Sequence, residues 1–221
     1  YGTLDAAEQW GVHYSTRLVE GGFVQGEASP CHFYHAQLGI SVVVHGDDFF
    51  FEGDEERLNE MEAELRRHMI VQRKALLGPD PEDDKHATVL GRLLSYVVEA
   101  GAYRVTMEPD PRHGEIIVRE LGLGGGSKAV ATPAEKSLEN DDDTPLHGGA
   151  ATQYRSLCVR LAFMAQDAPH LQYAANKCCK HMSLPTKGGL HRLKRVARFL
   201  RGLHRCSPDL PMQHKKDGSM R

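Results

Sequence analysis

The amino-acid sequence predicts an α+β fold, with strands and helices mixed in the first part and helices alone in the last third. In the first part, short apolar segments broken by glycines alternate with amphipathic segments of helical period. A stretch rich in glycine and aspartate follows at 124–149, and only helical patterns come after it. Mixed elements followed by a run of helices are typical of the α+β class.

Periodicity and capping residues place the elements of the first part. Trp10, Tyr14 and Leu18 recur on one helix face, and Asp54 can cap a second helix whose first turn is acidic. Apolar segments bounded by glycine turns are predicted strands. In order, the prediction is a helix over 5–20, strands over 32–38, 40–45 and 48–52, a helix over 54–69, a hairpin of 88–98 with 102–107, and a helix over 112–122.

The last third is predicted to consist of three helices. Pro169 and Pro185 stand near helix starts, where the missing N–H of proline does no harm. The predicted helices cover 152–166, 169–182 and 186–204. The composition of 124–149 is that of a linker and indicates a boundary between two parts of the chain.

Composition excludes several classes of protein. The net charge of the 221 residues is −3, so overall charge indicates no nucleic-acid partner. The five cysteines are odd in number and none has CxxC spacing, which argues against a disulfide framework or a zinc ribbon and predicts reduced thiols in an intracellular protein. No apolar run approaches the roughly 20 residues of a membrane helix. Because the chain begins at Tyr1 and not at Met, it is expected to be part of a longer polypeptide.

The most informative segment is a pair of aspartates on a glycine turn, Gly46-Asp47-Asp48, between two apolar strands. Ionised carboxylates in such surroundings need compensation, and a divalent cation commonly provides it. Mg²⁺ prefers one or two carboxylates together with phosphate oxygens, and a pair of such ions stabilises in-line displacement at phosphorus. An ordinary hairpin turn is the alternative. The pair therefore indicates a metal site suited to nucleotidyl transfer.

A second signal is a long stretch that lacks acidic residues. No Asp or Glu occurs from Ala168 to Ser207, although nine Lys and Arg residues lie there. Lys194, Arg198 and Arg201 fall on one helix face, and Lys187 lies two turns before Lys194 on that face. Solvated helix faces usually mix both signs of charge, so this pattern favours a surface that binds nucleic-acid phosphates.

Eight short motifs follow one another along nearly the whole chain, at 1–10, 22–23 with 29–33, 43–48, 90–91, 132–133, 154–157, 169–174 and 195–202. In this order they resemble the reverse transcriptase of copia-type LTR retrotransposons, which is part of a Pol polyprotein. The resemblance implies the C-terminal part of a polymerase palm, an antiparallel sheet with helices, over 1–110. It implies a thumb-entry helix and flexible acidic linker over 111–150, and a helical thumb and connection over 151–221 that leads toward an RNase H domain.

The resemblance also implies roles for individual residues. Asp47 and Asp48 take the catalytic, metal-binding positions for Mg²⁺ or Mn²⁺, and the third carboxylate of the family lies upstream of Tyr1. Asp5 falls in the vicinity of the nucleotide site. The residues assigned to nucleic-acid binding are His45, Gly46, the primer-grip residues Leu90, Gly91 and Arg92, and the basic residues Lys187, Lys194, Arg195, Arg198 and Arg201.

The activity implied by the resemblance is that of an RNA-directed DNA polymerase, which adds deoxynucleotides to a primer 3′-hydroxyl by a two-metal mechanism. Its partners would be an RNA/DNA template–primer duplex, deoxynucleoside triphosphates and the remainder of the Pol polyprotein, with no membrane. The expected location is the cytoplasm, a virus-like particle or the nucleus. The 221 residues alone are expected to be inactive, because the third carboxylate would lie outside them.

Two alternatives remain at this stage. Where the family has Tyr in the metal box, Gln in the first motif and Arg near it, this chain has His45, Asp5 and Glu8. A carboxylate near a triphosphate would repel it, so a decayed transposon remnant that retains only nucleic-acid binding is one alternative. A metal-dependent hydrolase that uses His45, Asp47 and Asp48 is the other.

Overall fold

The computed structural model describes residues 5–99, 102–135, 142–202 and 209–210. These residues form two compact units, the first extending to Lys74 and the second beginning at Ala75. The described residues contain six α-helices and two four-stranded antiparallel sheets, with one sheet in each unit. No helix among them is both long enough and apolar enough to cross a membrane.

The division into units differs from the three segments that the resemblance implies. The boundary falls just after the second helix, so the two predicted hairpins of the 1–110 segment lie in different units. The segments 1–110, 111–150 and 151–221 therefore stay a prediction about the palm, the linker and the thumb. Their bounds do not coincide with the boundary between the two compact units.

The first unit is a helix, a four-stranded meander and a second helix. Its elements are α1 (Ala6–Glu20), β1 (Val24–Gln25), β2 (His32–His35), β3 (Ile40–His45), β4 (Asp48–Glu52) and α2 (Glu55–His68), and the strands are ordered β1-β2-β3-β4. The predicted helices and the predicted strands β3 and β4 are confirmed. The strand predicted over 32–38 ends at His35, because the chain turns there and Gly39 adopts a positive φ.

The core of the first unit lies on one face of its sheet. Side chains along β2 and β3 alternate strictly between buried and accessible, as a half-buried antiparallel sheet requires. The buried residues are Leu18, Phe23, Phe33, Ile40, Val42, Val44, Met61 and Leu65. The Asp54 carboxylate accepts a hydrogen bond from the backbone N–H of Glu56, which confirms the predicted N-cap of α2. A packed sheet and two helices thus support the β3–β4 turn.

The second unit combines a sheet with four helices. Its elements are β5 (His86–Val89), β6 (Arg92–Glu99), β7 (Ala102–Pro109), α3 (Arg112–Glu120), α4 (Gly148–Asp167), α5 (Pro169–Cys179), α6 (Lys187–Gly202) and β8 (Asp209–Leu210). The first arm of the predicted hairpin, 88–98, is wrong as a single strand, because the chain reverses at Leu90-Gly91 and separates β5 from β6. Helix α4 begins four residues before the predicted 152, within the predicted linker, while 136–141 of that linker lie outside the described residues.

The core of the second unit is formed by its helices. Ile117, Leu161 and Leu193 are fully buried, and they come from α3, α4 and α6. The hydroxyl of Tyr154 donates a 2.7 Å hydrogen bond to the carbonyl of Cys178, which ties α4 to α5. Burial raises the pKa of the Cys158 thiol to about 12, so this cysteine remains a protonated core residue at neutral pH.

Candidate metal centre and nucleic-acid surface

The aspartate pair lies at a two-residue turn between β3 and β4. Residues Gly46 and Asp47 form the turn, and His45 pairs with Asp48 across the strands that it connects. Gly46 has a φ of +62°, whereas Asp47 is not in the positive region, which is the pattern of a type II′ hairpin turn. Nothing lies within 4 Å of the Cβ that another residue would add at Gly46, so the positive φ, and not crowding, favours glycine there.

Trp10 of α1 holds this turn from the side. Its indole N–H donates a 2.7 Å hydrogen bond to the carbonyl oxygen of Gly46. The indole ring also meets Phe49 of β4 edge-on, with ring centroids 6.2 Å apart. The carboxylates are therefore carried by a turn whose backbone is anchored to a helix. Sequence reasoning placed Trp10 in a motif and on an apolar face, but it missed this bond because the partners are 36 residues apart.

The carboxylates attract a cation of the same unit. The ammonium group of Lys74 lies 2.5 Å from an Oδ of Asp48. A hydrogen bond to Asp48, the charge of Asp48 and the charge of Asp47 together raise the pKa of Lys74. The aspartates thus act jointly on one positive charge. Sequence analysis missed Lys74, which belongs to none of the motifs and follows Asp48 by 26 residues.

The donor set fits a hard divalent cation. Asp47 is exposed and Asp48 is half-buried, so both carboxylates can be reached from solvent. Carboxylate oxygens are the ligands that Mg²⁺ and Mn²⁺ prefer. In the part of the chain that the structure describes, no third His, Cys, Asp or Glu joins the two in a ligand group. The turn therefore presents two carboxylates of the kind that such a cation binds, and the metal site itself stays a prediction.

The other predicted residues of this unit are exposed. His45 ends β3 beside the turn, and its side chain is accessible. Asp5 occupies the N-cap position of α1 without forming a side-chain capping bond, and Glu8 lies in the exposed first turn. The structure places His45 at the aspartate turn, and it gives Asp5 no bond to that turn. A role for Asp5 near a nucleotide stays a prediction.

The predicted primer grip, Leu90-Gly91-Arg92, begins with a second two-residue turn. Leu90 has a φ of +49° and Gly91 a φ of +75°, as in a type I′ turn. A Cβ at Gly91 would lie 3.0 Å from Cζ of Phe163, so glycine is required by both the backbone and the packing. This turn is packed onto α4, and only Leu90 is exposed.

Arg92, which follows the turn, is engaged within the second unit. Its Nε lies 2.7 Å from an Oδ of Asp167, and its guanidinium group lies 5.5 Å from the centre of the Phe163 ring. The Asp167 side chain is only 10% exposed. The arginine therefore joins β6 to α4. The structure gives it this structural role, whereas the nucleic-acid contact stays a prediction.

The basic residues of α6 fall into two groups. Lys187, His191, Lys194, Arg198 and Arg201 recur along one side of the helix, and this set is called the basic stripe below. Lys187, Lys194 and Arg201 are exposed, although Arg201 also donates a hydrogen bond to the carbonyl of Ser127. Arg195 lies off the stripe, where it forms an ion pair with Glu135 and a hydrogen bond to Thr132. Of the five α6 residues predicted to bind nucleic acid, Arg195 thus has an internal role.

Two curated polyproteins are similar to this chain. Over 229 aligned residues, including 100% of this chain, it is 26% identical to the retrovirus-related Pol polyprotein from transposon RE2 of Arabidopsis thaliana. Over 213 aligned residues, including 91% of the chain, it is 26% identical to the corresponding polyprotein from transposon RE1 of the same plant. The resemblance to a retrotransposon Pol polyprotein is therefore confirmed.

The similarity is to a small part of each relative. The chain spans 14% of the RE2 polyprotein and 13% of the RE1 polyprotein. No protein-family model matches the chain, and no solved structure matches it. The chain is thus similar to a segment of a retrotransposon polyprotein, and the chemistry of that segment is argued from its residues.

Proposed function

We propose that this chain is the part of a copia-type reverse transcriptase that carries the metal-binding hairpin of the palm, followed by the thumb and connection. The observation that carries the proposal is the presentation of Asp47 and Asp48 at one turn, anchored by Trp10, in a chain similar to Pol polyproteins. Among the described residues of the unit, the one ion pair that the structure gives this carboxylate pair is the largely exposed contact of Asp48 with Lys74.

In this function the turn provides ligands and the helices provide phosphate contacts. Asp47 and Asp48 would hold Mg²⁺ or Mn²⁺, which stabilises the attacking and leaving oxygens of nucleotidyl transfer when bound. Trp10 fixes the backbone that carries these carboxylates. The basic stripe would contact the backbone of the template–primer duplex, because Lys and Arg side chains that reach solvent neutralise phosphate charge.

The ion pair between Lys74 and Asp48 affects metal binding in this proposal. The ammonium group of Lys74 binds Asp48, and its flexible side chain is 76% exposed. A divalent cation held by the aspartate pair would compete with Lys74 for Asp48.

The experiment is primer extension with a longer segment of the Pol polyprotein that includes this chain and the residues before Tyr1. The expected result is Mg²⁺-dependent extension on an RNA template that Asp47→Asn abolishes. Asp54→Asn is the matched control, since Asn caps a helix as well as Asp does. The isolated 221 residues are expected to give no extension.

Two outcomes would contradict the proposal. Extension that survives Asp47→Asn would show that the turn does not carry the metal. Salt-dependent duplex binding without any extension by the longer segment would favour the decayed remnant that binds nucleic acid only. The Asp5 and Glu8 carboxylates, both exposed, are the residues to revert in that case.

A further inference from the structure

The second unit contains a groove that shares only His191 with the basic stripe. It runs between α5, α6 and the segment 133–135, and it encloses a cavity of about 60 Å³. The described residues that line it are Pro133, Ala134, Glu135, Tyr173, Ala174, Lys177, Cys178, His191, Arg192, Arg195 and Val196. A more open recess beside it adds His170 and shares Tyr173.

An exposed aromatic ring forms one wall of the groove. Tyr173 is 58% exposed, although it follows the first turn of α5, whose apolar residues Leu171 and Ala174 are buried in the core. The ammonium group of Lys177 lies 5.4 Å from the centre of the Tyr173 ring. An aromatic face with an adjacent cation is thus presented to solvent, and both residues come from one helix face.

Positive charge dominates the opposite wall. His191, Arg192 and Arg195 of α6 line it, and Arg192 is held by a 3.4 Å contact with His181. Glu135 is the single acidic residue among the described residues of the lining, and its carboxylate is engaged by Arg195. The net charge of the lining is therefore positive.

The groove is built before any ligand enters. Arg195 binds both Glu135 and Thr132, and these contacts fix the 133–135 segment against α6. On the other side, α5 is fixed by the bond between Tyr154 and Cys178. A ligand therefore has to order few protein side chains, which favours binding.

We propose that this groove binds a nucleotide unit of single-stranded nucleic acid. The base would stack on Tyr173, and its phosphate would contact Lys177 and Arg192. Single-strand binding uses this combination of an aromatic platform and cations, because an unpaired base exposes its flat face. A base inside a duplex is already stacked, so the duplex would bind the basic stripe instead. This inference rests on the proposed function for its ligand class, but it does not require polymerase activity.

The test is fluorescence anisotropy with the 221-residue chain and two labelled probes, a short oligothymidylate and a duplex of mixed sequence. Tyr173→Ala is expected to weaken single-strand binding about tenfold. Tyr173→Phe, which keeps the ring, is expected to bind as the unchanged chain does. Both variants should leave duplex binding unchanged, while Lys194→Gln should weaken duplex binding and leave the single strand alone.

A competition arm separates a strand from a free nucleotide. Unlabelled thymidine triphosphate is added at the same nucleotide concentration as the oligothymidylate. Displacement of the oligothymidylate would show that the groove binds a free nucleotide, and it would overturn the proposal of a single-strand site. The proposal would be overturned if Tyr173→Ala left the affinity for the single strand unchanged. It would also be overturned if Tyr173→Ala weakened the binding of the single strand and of the duplex equally. Circular dichroism confirms that Tyr173→Ala is folded, as expected for an exposed residue. Because binding is measured directly, an inactive polymerase would not affect this result.

Discussion

The Gly46-Asp47 turn and the Leu90-Gly91 turn have the same length and differ in their surroundings. The Gly46-Asp47 turn is exposed and carries carboxylates, and its main tertiary bond is from Trp10 to the backbone. The Leu90-Gly91 turn packs against Phe163, and the arginine that follows it is paired with Asp167. The first turn leaves its carboxylates accessible to a ligand. The second turn is followed by Arg92, whose ion pair with Asp167 joins β6 to α4.

The difference shows which kind of function each turn can support. A binding site needs polar groups whose interactions are not already satisfied within the protein. Asp47 and Asp48 meet this condition, apart from the exchangeable contact with Lys74. Arg92 does not meet this condition. It forms an ion pair with Asp167, a hydrogen bond with Gln166 and a ring contact with Phe163, all within the second unit. Each of the following changes separates the two turns experimentally.

The largest effect is expected for Arg92→Met. Removal of the guanidinium group leaves the carboxylate of Asp167, which is 10% exposed, without its charged partner. The expected loss is about 3 kcal/mol of unfolding free energy, measured by chemical denaturation. The double change Arg92→Met with Asp167→Leu should recover part of it. An unchanged stability would show that Arg92 is available to bind a ligand.

A smaller loss is expected for Gly91→Ala. The new Cβ would lie 3.0 Å from Cζ of Phe163, and the alanine would have to adopt the φ of +75° that Gly91 has. We expect about 2 kcal/mol of destabilisation. The comparison is Gly46→Ala, which meets no atom within 4 Å and should cost only about 1 kcal/mol for its positive φ. Equal effects at the two glycines would remove the distinction between a packed and an open turn.

Trp10→Phe tests the anchor of the first turn. The phenyl ring retains the contact with Phe49 but cannot donate to the carbonyl of Gly46. The expected cost is about 1 kcal/mol in stability, with an accompanying loss of affinity for Mn²⁺. Trp10→His supplies a ring N–H and is expected to recover part of the affinity. If the metal affinity does not respond to Trp10→Phe, the bond does not position the carboxylates.

The smallest effect is expected for Lys74→Met. The ion pair with Asp48 is largely exposed, so its removal changes stability little. The affinity for Mn²⁺ should rise about threefold, because the cation no longer competes with an ammonium group. Isothermal titration measures this change, and Arg73→Met is a control because Arg73 pairs with Glu62 instead. A fall in affinity would show that Lys74 supports the metal site.

Sequence reasoning located the β3–β4 turn because its signals are local. Glycine before two aspartates, with apolar strands on both sides, specifies a hairpin without reference to distant residues. The helix capped by Asp54 was found for the same reason. The turn at Leu90-Gly91 was missed, since leucine is a poor turn residue and rarely adopts a positive φ.

Roles that depend on partners far along the chain could not be predicted. Arg195 pairs with Glu135, 60 residues away, so its charge is used within the protein. The bonds of Trp10 to Gly46 and of Lys74 to Asp48 are equally non-local. Periodicity identifies a helix face, but only tertiary structure decides which of its charges are used internally.

The central claim is that Asp47 and Asp48 form a metal-binding pair, and Mn²⁺ binding measures it most directly. Electron paramagnetic resonance of the 221-residue chain reports free Mn²⁺ during a titration, with no need for catalysis. The claim predicts one bound ion per chain that is lost on Asp47→Asn and on Asp48→Asn but is retained on Asp54→Asn. Binding that survives both substitutions at the turn, or that is equally reduced by Asp54→Asn, would contradict it.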